Sequence, residues 1–190
     1  MVYSDYFEYL ESEDAQEKFL EIYKAHQRLM YKVAKSVIND DYLAEDIVNE
    51  TFIKVCREFC LVDDVYSKKT INLLVIMTRN TAIDFYRKRA KTMGREVYLE
   101  DLKNFEEIPS PCDYFTEKDD NAEIKNLIMS LPETYKEVLL LKYVNEYSDS
   151  EIAEIMNISI SNVRKRIERA KKILRNTAKK RGFLNEKENG

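Results

Sequence analysis

The sequence predicts an all-α fold: two small helical domains joined by an acidic linker, the C-terminal domain carrying a helix-turn-helix. Three observations predict it. Only 3 Gly and 3 Pro occur in 190 residues, so few tight turns are needed and long helices are favoured over sheets. Apolar residues recur at helical spacing on both sides of one interruption, residues 94–121, which holds two Pro, nine acids and three cations. Such a stretch reads as a linker without a core of its own. Positive charge is concentrated elsewhere: from Ile160 to Arg181 there are ten Lys or Arg and one acid, Glu168, in a chain of net charge −4. The expected domains are therefore 1–93 and 122–190, with 94–121 between them. A single bundle would have to enclose a 28-residue structureless loop, which is unusual in a compact domain.

Taken in order, Met1 to Glu21 carries seven acids and one Lys and has no signal-peptide shape. No apolar run approaches the roughly 18 residues that a membrane helix needs, so no membrane insertion and a cytoplasmic location are expected. Residues 16–59 read as helical, with a break near Asn39 to Asp41. In Asp41 to Phe59, Leu43, Ile47, Thr51 and Val55 form the inward stripe, while Glu45, Asp46, Asn49 and Glu50 face outward with Phe52 at the boundary. An acidic and amide surface around a half-exposed ring suits a basic helical partner; a plain solvated face is the other reading. Cys60 to Thr70 lacks periodicity and reads as a loop. Helical character resumes over Ile71 to Lys91, with Leu73, Leu74, Met77, Ala82, Ile83 and Tyr86 apolar. There Arg79, Asn80, Asp84, Arg87 and Lys88 recur on roughly one polar face. Cations interleaved with Phe85 and Tyr86 suit unstacked bases, although rings at this spacing also serve as core. Beyond the linker, Pro132 opens a helix through Val144, with Val138, Leu139, Leu141 and Val144 on its apolar face.

The stretch Ser148 to Arg175 is the most informative. Ser148 and Glu151 have capping-box spacing, so a helix starts at Asp149, with Ile152, Ala153 and Met156 on one face. Asn157 tolerates a left-handed helix end, and Ser159 can cap the next helix. That helix turns Ile160, Val163, Ile167, Ala170 and Leu174 inward and leaves Ser161, Asn162, Arg164, Lys165, Glu168, Arg169 and Lys172 outward. Small polar groups at its start and cations further on suit base edges and phosphates in a DNA major groove.

Catalytic chemistry is not expected. Cys56, Cys60, Cys112 and a single His26 match no zinc set. There is no phosphate-binding glycine loop, dinucleotide fingerprint or nucleophile elbow, so no cofactor or metal is expected.

Together, AEDIVNETFIKV, TRNTAIDFYRKR and LPETYKEVLLLKYVNEYSDSEIAEIMNISISNVRKRIERAKKIL resemble the bacterial RNA polymerase sigma factors of the extracytoplasmic-function (ECF) type. The resemblance covers residues 16–93 and 122–178. It implies that Asp46, Asn49 and Glu50, with Phe52 beside them, bind the β′ clamp helices of core RNA polymerase. Arg79, Asn80, Asp84, Arg87 and Lys88 match the helix that reads and opens the −10 promoter element. Asp63 to Lys69, with Tyr66, Lys68 and Lys69, matches a loop that captures a flipped base. The linker matches a segment threaded toward the polymerase active centre, and the last domain a −35 reader that also meets the β flap. Factors of this type often have an anti-sigma partner, which no residue here identifies. Three positions depart from the family pattern: Leu73 stands where Trp is frequent, Asn49 where Gln is usual, and Asn157 where Gly is common. The competing expectations are a stand-alone helix-turn-helix regulator, which predicts a dimer on a palindromic operator, and a helical adaptor that binds proteins only.

Overall fold

A computed structural model describes residues 4–92 and 122–182, and these residues form two compact units. Every regular element among them is helical. The expected linker, 94–121, lies outside the described residues.

The first unit contains α1 (Ser4–Phe7), α2 (Glu13–Val37), α3 (Asp41–Arg57) and α4 (Lys68–Thr92), with a 3-10 turn at Phe59–Leu61. Local hydrogen bonding sets the boundaries. Ser12 caps α2 by accepting from the Ala15 N–H at 3.2 Å. Asp40 caps α3 by accepting from the Leu43 N–H at 3.1 Å, which explains the break near Asn39. Ser67 Oγ accepts from the Thr70 N–H at 3.1 Å, so α4 begins at Lys68. Lys68 and Lys69 therefore lie in the first turn of α4 rather than in a loop. The loop itself is 62–67.

α2, α3 and α4 pack on one another, and α1 packs on α3. From Asn72 to Arg79 every α4 residue is buried. The first half of α4 is therefore covered on all sides, and a polar face is displayed only beyond it, where Asn80 and Asp84 are half-buried and Arg87 and Lys88 exposed. Arg79, expected outside, is only 3% exposed. Phe52 is likewise corrected from boundary to core. Its ring sits 4.7 Å from Tyr23, 5.8 Å from Phe19 and 6.2 Å from Tyr6. Phe19 and Phe52 are wholly enclosed, each worth about 2–3 kcal/mol of burial.

The second unit contains α5 (Ala122–Met129), α6 (Glu133–Leu139), α7 (Asp149–Met156) and α8 (Ile160–Lys180). Pro132 stands at the N-cap of α6, one residue before the helix. The helix runs on to Val144 through a π turn, Leu140–Val144, in which the Asn145 N–H reaches back to the Leu140 carbonyl at 3.0 Å. The widened turn leaves Val144 exposed, contrary to its expected place on the apolar face.

α7 and α8 follow the local chemistry of their caps. Ser148 Oγ accepts from the Glu151 N–H at 3.2 Å, and Glu151 Oε2 accepts from the Ser148 N–H at 2.7 Å. Asn157 adopts φ 51°, ψ 49°. The Ile158 N–H then bonds the Ala153 carbonyl at 2.9 Å and the Asn157 N–H the Glu154 carbonyl at 3.1 Å, the two bonds of a Schellman ending. Ser159 Oγ accepts from the Asn162 N–H at 3.3 Å. Val163, Ile167 and Ala170 are buried and Leu174 is half-buried. Ile160, expected inward, is exposed, because the first residue of a helix has no preceding turn to cover it. No described helix is long and apolar enough to cross a membrane.

Candidate DNA and polymerase interfaces

All seven residues predicted for the outer face of α8 are exposed: Ser161, Asn162, Arg164, Lys165, Glu168, Arg169 and Lys172. Ser161, Arg164, Lys165, Glu168 and Arg169 line one shallow concavity with Ile160. Within this face Arg164 is already engaged. Its Nε donates to Asp149 Oδ2 at 3.1 Å, while Lys142 Nζ donates to Asp149 Oδ1 at 2.8 Å. Asp149 thus ties the π turn, the start of α7 and the first turns of α8 together. Spacing could not reveal this, since the three partners come from different elements.

The ammonium of Lys142, and then the guanidinium of Arg164, hold the Asp149 carboxyl below the usual carboxylate range. A depressed folded-state value means that the pairs contribute stability above the ordinary carboxylate range. That contribution fades as pH falls through the folded-state value. Asp149→Asn is therefore expected to lower the thermal midpoint at neutral pH, with the difference from wild type closing as pH falls below the ordinary carboxylate range. Thermal melts followed by circular dichroism across that range check it.

In the first unit the structure sorts the predicted residues by burial. Arg87 and Lys88 are exposed at the end of α4, and Asp84 and Asn80 are half-buried. Arg87 lies 4.0 Å from Asp84. Arg79 does not join that surface. Phe85 and Tyr86 are both half-buried, neither pure core nor free rings. Tyr66 is 64% exposed at the tip of the 62–67 loop, Lys68 is exposed and Lys69 half-buried.

His26 is one residue whose part sequence reasoning missed. It is buried on α2, and its Nε2 donates to the Val65 carbonyl at 2.8 Å, with its ring 6.2 Å from Tyr66. Lys18 Nζ donates to the Val62 carbonyl at 3.2 Å. The loop that displays Tyr66 is thus held from α2 at Val62 and Val65, both on the N-terminal side of Tyr66. The signal available in the sequence was a lone His on a helical face, which is too weak to identify an anchor.

On α3, Asp46 and Glu50 are exposed and Asn49 is half-buried. Glu50 pairs with Lys54 at 3.0 Å. Phe52 lies beneath this face and is not part of it. Beside it runs a groove between α2 and α3, with Tyr23, Gln27 and Tyr31 on one wall and Glu45, Val48 and Asn49 on the other. Among the described residues no group of three or more His, Cys, Asp or Glu could hold a metal ion.

These features define a helix-turn-helix protein with an exposed cationic second helix on one unit and an acidic face on the other. Comparison with known proteins places it further. Residues 22–92 match the family described as Sigma-70 region 2, and residues 121–174 that described as Sigma-70, region 4. The RNA polymerase sigma factor SigZ of Bacillus subtilis (strain 168) is 30% identical over 146 residues, 77% of this chain and 78% of that protein. SigV of the same organism is 30% identical over 154 residues, 79% of this chain and 84% of its own. The ECF RNA polymerase sigma factor SigW, also from B. subtilis, is 29% identical over 168 residues, covering 84% and 88%. The chain belongs to the RNA polymerase sigma factors of the ECF type. It directs transcription initiation and is not an enzyme.

Proposed function

We propose that the chain binds core RNA polymerase in the cytoplasm through Asp46, Asn49 and Glu50 on α3, reads and opens the −10 element with the first unit, and reads the −35 element with α8. Its domains are 1–93 and 122–190, joined by 94–121. The observation that carries this reading is the exposure of the whole predicted α8 face behind a capped turn, on a chain with the two sigma regions in order. Ser161, Asn162, Lys165, Glu168 and Arg169 meet bases, with Lys172 on phosphate and Arg164 shared with Asp149. Tyr66 captures an unpaired base, and Asn80, Asp84, Arg87, Lys88, Lys68 and Lys69 line the separated strand.

The energetics follow from charge and linkage. A net charge of −4 weakens encounter with duplex DNA by the isolated protein. Once core polymerase holds both units at promoter spacing, the second contact forms at high effective concentration and two weak grips add. Melting is then driven by binding of unpaired bases rather than by nucleotide hydrolysis. Run-off transcription with purified core polymerase on genomic promoter fragments tests the reading. Discrete transcripts that depend on the protein are expected. Failure on every fragment while a control sigma factor initiates would overturn it.

A further inference from the structure

The N-terminal segment before α2, to which sequence reasoning assigned no role, is fastened to α3 at two points. Tyr6 of α1 is 3% exposed, its ring 5.0 Å from Phe19 and 6.2 Å from Phe52. Its hydroxyl donates to Asn49 Oδ1 at 3.2 Å, across 43 residues of sequence. Three residues on, Tyr9 accepts from Arg57 Nη2 at 3.2 Å, with the guanidinium 4.9 Å from its ring. Leu10 closes the segment at 5% exposure. A four-residue helix has too little hydrogen bonding to stand alone, so its position is set by these side-chain anchors.

The hydrogen bond has a chemical consequence for Asn49. An amide side chain has one acceptor oxygen and one donor NH₂ group, and rotation about its last bond exchanges them. With Oδ1 accepting from Tyr6, the NH₂ group is the end left for a partner. Asn is one methylene shorter than Gln, and Asn49 is half-buried, so which end it shows matters more here than on a long mobile side chain.

We propose that Tyr6 is a positioning residue for polymerase binding: its hydroxyl orients the Asn49 amide so that the NH₂ group points outward, and the polymerase group that meets it is a hydrogen-bond acceptor. This rests on the reading of Asn49 as a polymerase contact. The N-terminal segment is then part of the docking face, acting through α3 without touching the polymerase itself.

Four full-length variants test it by titration against purified core RNA polymerase: Tyr6→Phe, Asn49→Ala, the Tyr6→Phe/Asn49→Ala pair, and Asn49→Asp. Tyr6→Phe keeps the ring and is expected to weaken binding by about 2- to 10-fold, the worth of one hydrogen bond. In the Asn49→Ala background the same change is expected to do nothing further, because no amide remains to be oriented. Asn49→Asp keeps an oxygen for Tyr6 but removes the donor, and is expected to bind no better than Asn49→Ala. Four outcomes count against the account, each in a different way. Wild-type affinity for Asn49→Ala would remove the contact, and with it this inference. A weakened Asn49→Ala with an unaffected Tyr6→Phe would overturn the positioning role alone. Equal weakening by Tyr6→Phe in both backgrounds would make Tyr6 a general fold contact. Wild-type affinity for Asn49→Asp would exclude an acceptor as the partner.

Discussion

Asp46→Arg is expected to abolish association with core RNA polymerase while leaving both helical units folded. Asp46 is exposed on α3, one turn from Asn49 and Glu50, in a face whose usefulness to a basic partner is its acidity. Reversing the charge replaces an attraction with a repulsion at the same place. Like-charge juxtaposition at an interface costs several kcal/mol, so the loss should be at least about 100-fold. The fold should not notice, since surface substitutions of this kind stay within about 0.5 kcal/mol. Copurification with core polymerase, beside a thermal melt of the free variant, separates the two effects. Retained copurification would show that the docking face lies elsewhere.

The second large effect is expected at Arg169, and the structure ranks it above Arg164. Both are exposed cations on the reading face of α8. Arg164 already donates to Asp149, so part of its hydrogen-bonding capacity is held within the protein. Arg169→Ala should weaken −35 recognition by roughly 1–3 kcal/mol and relax preference at one base pair, as for a bidentate contact to guanine. Arg164→Ala should cost DNA binding less, and should also disturb the second unit by leaving Asp149 with Lys142 alone. Anisotropy titrations of the polymerase-bound variants against −35 duplexes substituted one base pair at a time measure both. The reverse order of effects would mean that Arg164 leaves Asp149 when DNA binds.

The chemistry that is local in sequence was legible from the residues alone. The turn between α7 and α8 followed residue by residue, because Ser148, Glu151, Asn157 and Ser159 act on backbone groups only a few positions away. The start of α3 was visible for the same reason. Residues whose surroundings are assembled from several elements were read less well. Arg79 and Phe52 sit at plausible outward positions on isolated helices, yet both are enclosed once the helices of the first unit pack together. Tyr6 lies on a helix too short to have a period, so nothing marked it as core. The Arg164–Asp149–Lys142 cluster joins three elements and has no sequence spacing at all. Ser67 with Thr70 is a local cap of the same kind, and it places Lys68 and Lys69 in helix rather than loop.

A promoter subunit and a stand-alone regulator share the same reading helix and differ in what makes it useful. Gel-shift titration of one promoter fragment, with and without core polymerase, separates them most directly. A stable, promoter-specific complex should form only when core polymerase is present, and Asp46→Arg should remove it. Tight, specific binding by the protein alone, unchanged by adding the polymerase, would contradict the account.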